Sequence, residues 1–171
     1  MTQFVRQFDD YSCGPIAIFN ALQSLVGECR YYRWIHRDCD PHPEYGTMYT
    51  PFNHTLHKWV SPYADIEYYR QPDYMTVRNM ITNGWIAIVV EHWEEKQESG
   101  EHYYTIHGMN PDGNYIVTNA EKTHSSVSIK TPRQLRTSLL PYTIDSISRH
   151  GETIDDLLYP CVWAIRSNNL E

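Results

Sequence analysis

Cysteine is scarce in this chain: four among 171 residues, irregularly spaced at Cys13, Cys29, Cys39 and Cys161. In a reducing compartment such cysteines are expected as free thiols rather than bridges. Basic residues are few as well, 14 Lys and Arg against 21 Asp and Glu, giving a formal charge of −7 with no basic run. The electrostatic footprint of a nucleic-acid binder is missing, so no nucleic-acid partner is expected. No apolar run nears membrane-spanning length, the longest strongly apolar one being Trp85 to Val90. The opening MTQFVRQFDD has neither signal-peptide nor transit-peptide character. Together these absences lead to the expectation of a cytoplasmic protein with no membrane partner. Repeats, low-complexity tracts and Gly/Ser linkers are also lacking, so residues 1–171 are expected to form one domain.

What is present reads as an ordinary globular chain, 41% hydrophobic and 20% charged, with 14 tyrosines and five tryptophans. The first half is helical in pattern. Ser12 stands as an N-cap, Pro15 suits a first turn, and Ile16, Phe19, Leu22, Leu25 and Val26 form an apolar stripe ending at Gly27. A loop is expected from Cys29 to Gly46, a second helix from Thr50-Pro51 to about Val60, and a third from Asp73 to Asn83-Gly84.

The second half turns to strands. WIAIVVEHW has the continuous apolar character of a buried central strand, and HYYTIHGM and NYIVTNA flank a turn at N-P-D-G. SVSIK adds a short strand, Thr131-Pro132 opens a helix through Leu140, and CVWAIR closes the chain as a strand. Helices first and an antiparallel sheet afterwards make an α+β fold.

The segment QFDDYSCGP places a lone cysteine at the mouth of the first helix. Helix N-termini favour the thiolate, so Cys13 is expected to have a lowered pKa and to act as a nucleophile. Gly14 would leave room for a substrate backbone. The Cys13 N–H and the Gln7 amide would supply oxyanion donors. A base is offered by His102, with His92 as its rival on the neighbouring strand, and Asn119 would orient the imidazole. That last placement depends on the hairpin. A two- or four-residue loop sets Asn119 diagonal to His102 on one face, whereas a three-residue Pro-Asp-Gly loop does so only with a bulge.

The pattern Gln7, five residues, then Cys13-Gly14-Pro15 resembles the nucleophile motif of papain-like cysteine peptidases of the C39 type, the group of bacteriocin-processing peptidases and their stand-alone relatives. EHYYTIHGMNPDGNYIVTNA resembles the second motif of that group. The likeness implies a papain-like fold with Cys13 as nucleophile, His102 as base, Asn119 as orienting residue and Gln7 at the oxyanion hole. It implies hydrolysis of peptide or isopeptide bonds in a protein or peptide substrate, with no cofactor and no metal. Ser12 and Asn119-Ala120 depart from the Asp and Asp-Pro usual in the group. The lack of a membrane or ATPase region argues against an exporter-linked leader peptidase, and the short stand-alone form suggests a prokaryotic or viral source. The same triad would also serve an amidase, an acyltransferase or a deubiquitinase-like enzyme, and a silent module of this fold would bind a partner through the old cleft.

Cys29, His36, Cys39, His42, His54 and His57 form a second cluster, but no Cys-x2-Cys pair is present and a domain of this size needs no metal to fold. Ordinary loop residues are the expectation for most of them, and partly exposed helix positions for His54 and His57. Tyr31, Tyr32 and Trp34 are expected in the core or along a cleft wall.

Overall fold

The computed structural model describes residues 4–95, 98–119, 126–141 and 160–168. Three helices come first: α1 (Cys13–Val26), α2 (Tyr32–Cys39) and α3 (Tyr49–Val60). Strand β1 (Ala64–Arg70) and helix α4 (Tyr74–Thr82) follow, then β2 (Ile86–Glu95), β3 (Glu98–Met109), β4 (Tyr115–Thr118) and β5 (Ser128–Lys130). Helix α5 (Pro132–Ser138) and strand β6 (Cys161–Ser167) complete the described elements. All six strands join one antiparallel sheet in the order β1-β6-β2-β3-β4-β5. The chain is therefore α+β.

Helices cover both faces of the central strands, which explains their apolar runs. On one face Ile86, Ile88, Val90, Tyr103, Trp163 and Ile165 pack with α1 and α3. On the other, Ala87, Val89, Tyr104, Ile106 and Val162 meet Val77 and Ile81 of α4 and Leu135 and Leu139 at α5. A strand buried on both sides has no solvent face to alternate with. Helix α1 is itself enclosed: Asn20 bonds the backbone of Val5, and Gln23 accepts from the Cys29 N–H. Thr105 Oγ1 donates to the Ala17 carbonyl at 3.0 Å, fastening β3 to α1.

Several boundaries follow from local chemistry. Gly27 ends α1 at φ 81, where a side chain would be strained. The Asp73 side chain caps α4 by accepting from the Thr76 N–H, and Thr131 with Gln134 forms a reciprocal capping box on α5. Two elements differ from the sequence reading. Helix α2 occupies the expected loop, holding on by Ile35 and Cys39 one turn apart with Asp40 left-handed after it. Strand β1 has a weak pattern of its own and forms because β6 lies beside it, pairing Ile66 with Ile165. No helix among the described residues is long and apolar enough to cross a membrane.

Candidate active site

Cys13 is the first residue of α1 and is buried at 5% exposure. Ser12 takes the N-cap position, yet its hydroxyl makes no cap bond. It donates instead to Asp9 Oδ2 at 2.7 Å and lies 3.0 Å from His36 Nε2 on α2. The Asp9 carboxylate also accepts the Tyr11 and Ser12 N–H groups, at 3.0 and 2.7 Å. Asp9, Ser12 and His36 thus anchor the turn that delivers the cysteine. Thr47 braces the same turn, its hydroxyl donating to the Tyr11 carbonyl at 3.2 Å. A Cβ on Gly14 would sit 2.4 Å from Thr47 Cγ2. The space expected for a substrate backbone at Gly14 is therefore filled by Thr47, and close packing is what demands the glycine.

The thiol also differs from expectation. Burial pushes the Cys13 pKa up to about 11, and Glu101 adds to the rise. Backbone N–H groups of Tyr103, Gly14 and Cys13 itself oppose it. A helix terminus is worth roughly 0.3–1 kcal/mol to an anion, whereas full desolvation shifts a pKa by up to several units, so burial wins. The resting sulfur is a neutral thiol that needs a base to release its proton.

Asn119 ties the start of α1 to β3 through Tyr103. The Asn119 side-chain nitrogen donates to the Tyr103 carbonyl at 3.0 Å and reaches the Cys13 carbonyl at 3.5 Å. Spacing assigned the imidazole contact to the Asn119 side chain; the contact seen here joins His102 Nε2 to the Asn119 main-chain carbonyl. A carbonyl only accepts, so Nε2 carries the hydrogen, and in the neutral ring Nδ1 has the lone pair. Asn119 bends its carbonyl toward the ring by adopting φ 60, a left-handed conformation that asparagine tolerates better than most residues.

The hairpin solves its register in the bulged way. Pro111, Asp112 and Gly113 form a three-residue loop closed by Asn110 N–H to the Asn114 carbonyl at 2.8 Å, with Gly113 at φ 79. Met109 pairs with Tyr115 and Gly108 with Ile116; the register then shifts, and Ile106 pairs with Val117 and Thr105 with Thr118. His107 is the extra residue. One step beyond the last pair, Asn119 comes opposite Tyr104 and diagonal to His102. Glu121, the expected direct partner of His102, lies outside the described residues.

Asn119 thus joins Cys13, Tyr103 and His102 in one group. Gln7 stands outside it, making no hydrogen bond to these residues, with its side-chain carbonyl buried and, among the described residues, without a partner. His92 lies on β2 opposite Glu101 and lines a cavity of about 340 Å³ with Lys130 and α5 residues. Cys29 and Cys39 are core residues, His36 belongs to Ser12, His42 stacks on Tyr45, and His54 and His57 are exposed. No three His, Cys, Asp or Glu side chains among the described residues are placed to hold a metal. None of the four cysteines is in a disulfide. Tyr31 and Trp34 are exposed rather than core residues, while half-buried Tyr32 packs on Phe19 and His36.

Asp9, His36, Thr47 and Tyr103 are contributors that sequence reasoning missed. Asp9 carried a signal, since an aspartate before a helix start readily accepts the backbone N–H two residues on, here that of Tyr11, in an Asx-turn. The others are ordinary residues until the chain folds. No family model matches this sequence, and no curated protein is similar to it. Its fold resembles that of a candidate C39-like peptidase from Bacillus anthracis, at a TM-score of 0.61 and 10% identity, over 98% of this chain and 96% of that one. A likeness at that identity speaks for the fold.

Proposed function

We propose that this chain is a cysteine-dependent hydrolase of peptide or isopeptide bonds, working through an acyl-enzyme. The observation carrying the reading is the hydrogen-bonded group that Asn119 forms with Cys13 and Tyr103, while its carbonyl holds His102 Nε2. A peptidase-like fold neighbour supports the same reaction class. In this mechanism His102 Nδ1 takes the Cys13 proton as the sulfur attacks the substrate carbonyl carbon. The oxyanion is received by the Cys13 N–H and the Gln7 amide, and the imidazolium returns the proton to the leaving amine. Water, deprotonated by His102, then cleaves the thioester. A thiol held near pKa 11 makes the base indispensable, because only ~10⁻⁴ of it is ionised at neutral pH without help.

Iodoacetamide alkylation tests the reading. Near neutral pH, wild-type Cys13 should react at least about tenfold faster than Cys13 in His102→Gln. Equal rates would overturn the base assignment. A panel of peptide and ubiquitin-type fluorogenic amides, compared between wild type and Cys13→Ala, should show turnover only in wild type and identify the preferred bond.

A further inference from the structure

β3 carries a second histidine that the proposed chemistry leaves unused. His107 Nε2 lies 2.8 Å from Thr118 Oγ1 on β4, and Nδ1 lies 2.6 Å from Ser24 Oγ on α1. The Phe4 ring covers it at a centroid distance of 4.3 Å. Three segments far apart in sequence therefore meet on one imidazole: the chain before α1, α1 itself, and β4. The same residue is the inserted one in the β3–β4 bulge.

The position matters because of the three-residue loop. Without the bulge, the pairing of Met109 with Tyr115 would run on unchanged, placing Thr118 opposite Ile106 and Asn119 opposite Thr105. A one-residue slip turns side chains to the other face, so Thr118 would leave α1 and Asn119 would lose its diagonal relation to His102. The bulge also leaves a residue without a ladder partner, so its register must be held by something else. The His107 bonds to Thr118, the residue before Asn119, and to Ser24 do that. Burial keeps the ring neutral by pushing its pKa down to about 4, which suits one donating and one accepting nitrogen.

We infer that His107 is a positioning residue: through Thr118 and Ser24 it locks the bulged register that brings Asn119 to His102. The inference deepens the cysteine-hydrolase reading and rests on it for its catalytic consequence. Its structural half is independent.

Three variants test it: His107→Leu fills the site without bonding, Thr118→Val removes the bond from the other side, and His107→Gln restores one donor and one acceptor. Cys13 alkylation by iodoacetamide is followed across about pH 5 to about pH 9 on protein shown to be folded, with mass spectrometry locating the label. His107→Leu and Thr118→Val should lose the near-neutral reactivity by about tenfold, and His107→Gln should recover most of it. Folded His107→Leu with the wild-type pH profile would overturn the inference. Cross-strand NMR contacts read the register directly. Thr105 should face Thr118 in wild type, and Thr118 should move toward Ile106 in His107→Leu. Retention of the Thr105 contact would overturn the inference whatever the chemistry shows. A wild-type profile without near-neutral reactivity, with the register shift intact, would instead count against the hydrolase reading alone.

Discussion

Gly14 shows how a single residue can be visible in the sequence for one reason and required for another. Next to a candidate nucleophile, its missing side chain suggests room for substrate. In the folded chain the room belongs to Thr47, whose Cγ2, Cβ and Oγ1 would lie 2.4, 2.7 and 2.8 Å from an added Cβ. Gly14→Ala should therefore destabilise the protein by about 1–3 kcal/mol, the range for overpacking a tight site. Thr47→Gly in the same background should recover part of that loss. A double-mutant cycle by urea unfolding checks both, and additive costs would refute the packing explanation. Cys13 has the same split character. Its place at the helix start is legible from Gly14, Pro15 and the apolar stripe behind them, but its protonation is not. Helix geometry argued for a lowered pKa, and burial reversed the sign.

Elements were legible where their signals were local. The start at Asp73, the stop at Gly27 and the start at Thr131-Pro132 mark their helices in sequence, and the structure keeps all three, adding the Thr131–Gln134 box. Helix α2 was not legible, because its buried side is only Ile35 and Cys39. The hairpin lies between these cases. Its strands and turn residues announce themselves, whereas loop length left two registers open, and the bulge at His107 settles which one forms. His107 also gives the hairpin a pH dependence. Its folded pKa of about 4 lies below the ordinary 6.5, so the unfolded chain takes up a proton first as acid is added. The stability this group contributes is present above about pH 6.5 and lost as pH falls toward 4, up to about 3 kcal/mol. Urea unfolding at steps through that range should show the fall, and His107→Leu should flatten it. Identical slopes in the two proteins would contradict a neutral buried ring.

At the scale of the molecule, the core between α1, α3 and one face of β2 and β6 encloses thiols as well as hydrocarbon. Burial pushes Cys13 and Cys161 up to about 11 and Cys39 up to about 12, against an ordinary value of 9.0. Above the ordinary value the unfolded chain loses these protons while the folded chain keeps them. Stability is therefore full below about pH 9 and declines as pH rises toward 11. Thermal melts under reducing conditions should fall across that interval, and Cys39→Ala should fall less steeply; a flat wild-type curve would refute the buried thiols. The sequence alone determined the order of helices before sheet, the apolar central strands, the cysteine at a helix mouth and the hairpin that carries His102 and Asn119. Those features depend on hydrophobic period, caps and turn residues, which act over a few neighbouring positions. Only the tertiary structure decided the hairpin register, the partner that requires Gly14, the Asp9–Ser12–His36 anchor and the charge state of Cys13. Each of these depends on groups brought together from distant parts of the chain, and on the loss of water that their meeting causes.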